Sequence, residues 1–186
     1  MSSCKAVEPH IKLHLGCGNK ILDGWINVDI ASDCPDVVID DAATLKTITD
    51  NSASIIYACH ILEHLGRQNT LDTLRIWYNK LKPGGVVRIS VPDMSAVFKK
   101  YQEGIPLSLL LGFLYGGQRN EHDFHKIAFD YNFLKEMLES AGFKDVKSFD
   151  WKQTEHSHID DYSQAYLPHM DKEGGMLMSL NMEAMK

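Results

Sequence analysis

The chain has 186 residues, 44% of them hydrophobic, with 19 Lys and Arg against 25 Asp and Glu and a formal net charge of −6. Such a chain fits one globular domain with a substantial core, and its charge speaks against nucleic acid as a partner, since no basic cluster goes beyond Lys99-Lys100. The longest apolar run, from Ile105 to Tyr115, is broken by Pro106, Ser108 and Gly112 and falls short of the about 20 residues that a bilayer helix needs, so no membrane partner is expected.

No charged-then-apolar leader opens the sequence. Cys4, Cys17, Cys34 and Cys59 lack paired spacing, which reads as a reduced, cytoplasmic setting without a disulfide framework. Strands are predicted at Ile11–Leu15, Ile26–Val28, Val37–Ile39 and Ser54–Ala58, each with a polar or glycine-rich motif at its carboxyl end. Between Gly18 and Ile26 only seven residues remain, too few for the usual crossover helix between parallel strands. One or two helical turns ending at Gly24-Trp25 are expected there, with Trp25 covering apolar surface. A helix follows from Thr70 to Leu81, its stripe formed by Leu71, Leu74, Trp77, Tyr78 and Leu81, and Pro83-Gly84-Gly85 stops it before a strand at Val86–Val91.

From Met94 to Asp130 the strand pattern gives way to an insertion punctuated by Pro106, Gly112 and Gly116-Gly117, a candidate lid over an acceptor. Asp130 reads as the N-cap of a helix reaching Ser140. Phe143–Trp151 and Met176–Ala184 suit a closing antiparallel hairpin, and the long connection from Lys152 to Gly175 carries His156, His158, Asp160, Asp161 and Tyr162.

The richest motif is Leu13-His14-Leu15-Gly16-Cys17-Gly18-Asn19, followed by Asp29 at the end of Trp25-Ile26-Asn27-Val28-Asp29. A buried strand running into Gly-x-Gly lets the backbone come close to a ligand, and an acid ending the next strand can grip a ribose diol. Ile21 stands where a dinucleotide fingerprint needs its third glycine, so the loop suits a nucleoside without phosphates.

With Asp40-Asp41-Ala42, the stretch from Cys59 to Leu65, Leu81-Lys82-Pro83-Gly84-Gly85 and Ala141-Gly142-Phe143, this motif resembles the class I S-adenosylmethionine-dependent methyltransferases, in particular small ones of the type-11 kind often associated with glycan biosynthesis. The resemblance spans about Lys12 to Phe149. It implies a Rossmann-like, doubly wound α/β fold with a seven-stranded, mostly parallel sheet, an antiparallel C-terminal hairpin and a shortened first crossover, all in one methyltransferase domain over residues 1–186 with the insertion 94–130 as lid. It also implies S-adenosyl-L-methionine as cofactor and no resident metal. In many relatives a helical N-terminal extension caps the site; here the chain begins directly at its first strand.

By that resemblance Leu15, Gly16, Cys17 and Gly18 approach the cofactor's amino-acid and ribose portions, Asp29 and Ile30 meet the ribose, and Asp41 and Ala42 flank the adenine. Turn capping is the plainer role for Asp29. Asp40 competes with Asp41, but consecutive side chains diverge, and Asp40 reads as the cap of a following helix. Cys59, His60 and His64 fall near the methionine end, with a structural role as the alternative for His64. The reaction implied is methyl transfer to a small-molecule acceptor, a sugar or glycan hydroxyl being the leading class.

His122 or His125 is the candidate general base, since an imidazole with a pKa of about 6.5 can deprotonate a hydroxyl. Tyr162, Tyr166 and Trp151 could floor a sugar ring. A cofactor-binding module without catalysis is the non-enzymatic alternative, and a homodimer covering the open face is compatible with the sequence. His60-Ile61-Leu62-Glu63-His64 also spells H-x-x-E-H, which in inverted zinc peptidases binds zinc; a zinc hydrolase using His60 and His64 would need a third ligand and a long helix for the motif.

Overall fold

The computed structural model describes residues 11–186, so Cys4 and the start of the chain lie outside the described residues. Five parallel strands run in the order β3 (Val37–Ile39), β2 (Ile26–Asp29), β1 (Ile11–Leu15), β4 (Ala53–Cys59) and β5 (Leu81–Pro92). β9 (Ser179–Met185) then pairs antiparallel with β5, and β6 (Lys144–Ser148) pairs antiparallel with β9 at the edge. The expected seven-stranded, mostly parallel sheet with its antiparallel C-terminal pair is therefore present. A separate two-stranded sheet joins β7 (Tyr166–Leu167) to β8 (Met176–Leu177).

Period-two alternation gives the sheet two unlike faces. Leu13, Leu15, Val28, Ile56, Ala58, Val87, Ile89, Met182 and Ala184 form the apolar face. Helices α1 (Thr70–Lys80) and α4 (Tyr131–Ala141) pack on it through Leu74, Trp77, Leu134 and Leu138. Asp130 caps α4 by accepting from the Phe133 amide at 2.8 Å, as the sequence predicts, and Gly142 ends it in the left-handed conformation.

On the opposite face six of the seven strands, all but β3, place a polar or aromatic residue in direct register: Asn27, His14, Tyr57, Arg88, Glu183 and Lys147. No helix covers it. Residues 151–165 do, as coil and short 3-10 turns. The His156 ring lies 3.9 Å from the Tyr57 ring, which stacks on His14, while Trp25 packs edge-on against both Tyr57 and His156. The Tyr57 hydroxyl donates to Asp161 Oδ2 at 2.7 Å, Asn181 Nδ2 donates to the Ser163 carbonyl at 2.9 Å, and Lys12 pairs with Glu155 at 3.1 Å.

This layer explains the short first crossover. The chain from Gly18 to Ile26 makes turns without the expected helical turn: the Lys20 amide donates to the Cys17 carbonyl and that of Trp25 to Leu22. Asn27 pins them, since its Oδ1 accepts from the Leu22 amide at 2.9 Å while its Nδ2 donates to the Leu22 and Trp25 carbonyls. Trp25 thus covers the aromatic stack of the polar face, not an apolar patch.

Burial pushes the His156 pKa down to about 4, with Asp161 pulling in the opposite direction, and burial also lowers that of His14. The unfolded chain takes up the His156 proton near pH 6.5, so the stability tied to the neutral ring is complete above about pH 6.5 and is lost as pH falls from there toward about 4. The urea midpoint of the wild type should drop between pH 7 and pH 5, and that of His156→Gln should drop less. Equal drops would show that this ring does not take up a proton on unfolding.

Candidate functional site

β1 ends in a turn that the sequence dictates sterically. Gly16 has φ +62°, and a Cβ there would lie 2.6 Å from Ile61 Cδ1, so the glycine lets the first loop and the loop after β4 close on each other. At Gly18 a Cβ would meet nothing within 4 Å, which leaves the backbone open to a ligand. Its amide donates to Asp29 Oδ2 at 2.7 Å, while Asp29 Oδ1 accepts from Ala31 at 3.2 Å. Asp29 therefore holds the loop at the ends of β1 and β2 and keeps further lone pairs on both oxygens for ligand hydroxyls. Leu15 is buried beneath this loop, and Ile30 is 48% exposed beside Asp29.

The two carboxylates after β3 separate cleanly. Asp40 Oδ2 accepts from the Thr47 amide and hydroxyl at 2.8 and 2.6 Å, and Oδ1 accepts from Asp41 at 2.8 Å. Partial burial opposes the charge of Asp40, and these bonds outweigh it to lower its pKa. Turns, not the expected helix, follow β3, so Asp40 ties a loop. Asp41 spends Oδ1 on the Ala43 amide at 2.8 Å. Ala42 is buried, and its carbonyl accepts from Trp77 Nε1 at 2.7 Å, fixing this loop to α1.

After β4, His60 adopts φ +52°, an uncommon conformation for a side-chain-bearing residue. Its amide donates to the Ser90 carbonyl at 2.8 Å. Its ring bridges Ser179 Oγ at 2.9 Å and Glu63 Oε1 at 3.2 Å. Leu62–His64 form a single 3-10 turn, so His60 and His64 do not share a helix face as a zinc peptidase motif requires. The Glu63 side chain is 1% exposed. Burial opposes its ionisation, but the charge and bond of His60, with His64 beside it, hold its pKa below the usual carboxylate range.

The insertion begins and ends at one point: Asp93 bridges to Phe129, and the Met94 amide donates to the Phe129 carbonyl. It holds α2 (Met94–Gln102) and α3 (Leu111–Tyr115), which share a small core with Met178 and the β7–β8 sheet. At Gly116 a Cβ would sit 2.5 Å from the Asp123 carbonyl oxygen and 3.0 Å from the His125 ring, so this glycine lets the 123–125 segment fold back on α3. The Lys126 amide then donates to the Glu63 carbonyl.

Two cavities open at the carboxyl ends of the strands. One, of about 600 Å³, is lined by Gly16, Cys17, Gly18, Asn19 and Lys20 of the first loop, by Cys59 and His60, and by Tyr162, Gln164 and Tyr166. The other, of about 410 Å³, lies between His60, His64 and the insertion residues Phe113, Arg119, Asp123 and His125. His60, Phe113, Arg119, Tyr162 and Ala165 line both, so the two adjoin. Asp29, Ile30, Asp41 and Ala42 line neither; they continue the same rim along β2 and β3.

His64 lines the insertion-side cavity and not the one beside the glycine loop, whereas Cys59 and His60 line the latter. His122 lies outside both cavities, 58% exposed beside Glu121, whereas His125 lines the second and its side chain is 9% exposed. Trp151 is likewise outside, donating to the Tyr166 hydroxyl at 3.4 Å. Burial pushes the Cys17 thiol up to about 11 and that of Cys59 well above its ordinary value, so both stay protonated and unreactive. Sequence reasoning missed Arg119, fixed to Asp123 by a 2.7 Å bond, and Gln164, which donates to the Ser157 and Ile159 carbonyls; neither falls in a recognisable motif.

No family model matches the chain, and no curated protein matches it by sequence. Solved structures do. A SAM-dependent methyltransferase from Archaeoglobus fulgidus superposes with a TM-score of 0.59 at 21% identity, covering 95% of this chain and 86% of that one. One from Thermotoga maritima, described as a possible histamine N-methyltransferase, gives 0.58 at 12% identity over 95% and 82%. The 1,6-didemethyltoxoflavin-N1-methyltransferase of Burkholderia thailandensis, solved with bound 1,6-didemethyltoxoflavin and S-adenosylhomocysteine, gives 0.56 at 15% identity over 96% and 72%. The fold is thus that of the S-adenosylmethionine-dependent methyltransferases. Among the described residues no helix is long and apolar enough to cross a membrane.

Gly16→Ala should lower the melting temperature by several degrees, because the clash with Ile61 adds to a backbone cost of roughly 1–2 kcal/mol. Gly18→Ala, which meets open space, should cost less. A scanning-calorimetry order with Gly18→Ala the less stable would contradict this packing.

Proposed function

We propose that this protein transfers a methyl group from S-adenosyl-L-methionine to a small-molecule acceptor. The observation that carries this reading is the pair of adjoining cavities over the ends of β1 and β4, one under the glycine loop and the other under the insertion, with His60 and Tyr162 at their junction. The open backbone at Gly18, with the carboxylate of Asp29 beside it, suits a nucleoside with a free ribose diol. Asp41 is the carboxylate for the adenine amine, because Asp40 is committed to Thr47.

When bound, the cofactor supplies a sulfonium-activated methyl group, which an acceptor atom displaces in line. The chain's own task is alignment and exclusion of water. His60, held in its strained conformation by Ser90, Ser179 and Glu63, forms a rigid wall between the two cavities. The insertion roofs the acceptor side through Phe113 and Arg119, and the proton of a hydroxyl acceptor is removed at the buried cluster containing His125. A sugar or glycan hydroxyl fits a cavity floored by Tyr162, with Tyr166 in the adjoining one, and the net charge of −6 favours a small acceptor over a polyanion.

Calorimetric titration of S-adenosylhomocysteine tests the cofactor half without knowledge of the acceptor. Binding in the micromolar range is expected for the wild type. Asp29→Asn, which keeps one acceptor oxygen for the loop, should weaken it roughly 10- to 100-fold, as loss of hydrogen bonds to a charged group implies. A folded wild type that does not bind would overturn the proposal.

A further inference from the structure

We infer that Glu63, His64 and His125 form a binding site for a divalent transition-metal ion, with an open coordination position facing the insertion-side cavity. One potential ligand atom from each of the three residues lies within 4.8 Å of the others. The two rings meet nearly edge to face, 4.8 Å between centroids. His125 Nε2 stands 3.9 Å from Glu63 Oε1, too long for a hydrogen bond and of the order expected for two ligands sharing one ion, each about 2 Å from it.

The tautomers support the same reading. His64 Nδ1 lies 3.1 Å from the Phe124 carbonyl oxygen and His125 Nδ1 3.0 Å from that of Phe113. A carbonyl only accepts, so in each neutral ring the proton sits on Nδ1 and the lone pair is on Nε2. Second-shell carbonyls orient metal-ligating histidines in this way. Glu63 completes the set as a buried carboxylate: Oε1 pairs with His60 Nδ1 at 3.2 Å, while Oε2 has no hydrogen-bond partner. The unpartnered oxygen, close to two nitrogens that carry lone pairs, leaves a donor set that His60 does not saturate and a cation can fill.

Two imidazoles and one carboxylate form a donor set that suits zinc or iron(II) and leaves positions open for an exogenous ligand. His64 and His125 both line the cavity, so the open side faces it. His60, engaged by Glu63 and Ser179 through its two nitrogens, is not a ligand. The site therefore differs from the zinc arrangement that H-x-x-E-H suggests: the second histidine comes from the insertion, not from the motif. One consequence rests on the methyl-transfer reading: at that cluster the ion, and not a free His125 imidazole, would acidify an acceptor hydroxyl bound to it, the proton passing to solvent and the oxygen then forming the new bond to carbon as the carbon–sulfur bond breaks, its electron pair leaving with sulfur.

The test uses tag-free, chelator-treated protein titrated with Zn²⁺ against a chromophoric chelator, and with Co²⁺ followed by visible absorption. One ion per chain is expected, with Co²⁺ bands of nitrogen and oxygen ligation. Glu63→Gln, His64→Ala and His125→Ala should each weaken uptake by about 100-fold or more, and His122→Ala should not change it. Circular dichroism selects the variants that fold, and any one of the three suffices. Failure of the folded wild type to take up an ion, uptake unchanged in a folded ligand variant, or a near-ultraviolet thiolate band would overturn the site. S-adenosylhomocysteine binding, measured on the same samples, keeps the two proposals apart: binding without metal uptake removes only this one, and metal uptake without binding removes only the methyl-transfer reading.

Discussion

The architecture depends on a row of polar side chains across one face of the sheet. Asn27, His14, Tyr57, Arg88, Glu183 and Lys147 stand side by side on successive strands, and a face of that kind cannot be closed by an apolar helix without orphaning its donors and acceptors. It needs a layer that brings hydrogen-bonding partners. Residues 151–165 supply them from irregular backbone and short polar side chains: Asp161 for Tyr57, the Ser163 carbonyl for Asn181, and His156 as the ring stacked on Tyr57. The same segment carries Tyr162 into both cavities, so the chemistry that closes the sheet also shapes the site.

Once that layer is in place, the short link between β1 and β2 follows. A helix there would compete for the surface that His156 and Trp25 occupy. Asn27 instead folds the link into turns by answering the Leu22 amide and two carbonyls with one side chain, which leaves the glycine loop anchored at one end by Asn27 and at the other by Asp29. The loop is held by its neighbours' side chains and not by a helix of its own.

β1, β2, β3 and β5 were legible because glycine, acid or proline marks their carboxyl ends, and α4 because Asp130 precedes its apolar stripe; β7 was not, since two residues inside a long connection show no alternation. The covering layer was not, since coil rich in local hydrogen bonds leaves no period in the sequence. At the site, Gly16, Gly18 and Asp29 could be read because their roles are local to one turn. The divergence of consecutive side chains favours Asp41 over Asp40, but that Thr47, in a loop and not a helix, takes up Asp40 leaves no mark in the sequence. The Glu63 cluster was hidden for a different reason: the motif around it shows only His60 and His64, while the other histidine beside Glu63, His125, arrives by a long excursion whose path depends on Gly116.

That excursion leaves and rejoins the domain at the single bridge between Asp93 and Phe129. Its two ends are already adjacent, so the entropic penalty for lengthening or shortening it grows only with the logarithm of its length, and its small core is distinct from the one beneath the sheet. The roof of the second cavity is therefore modular. Descendants of this chain can exchange the segment between those two residues and reshape that cavity while inheriting the sheet, the glycine loop and the polar row unchanged.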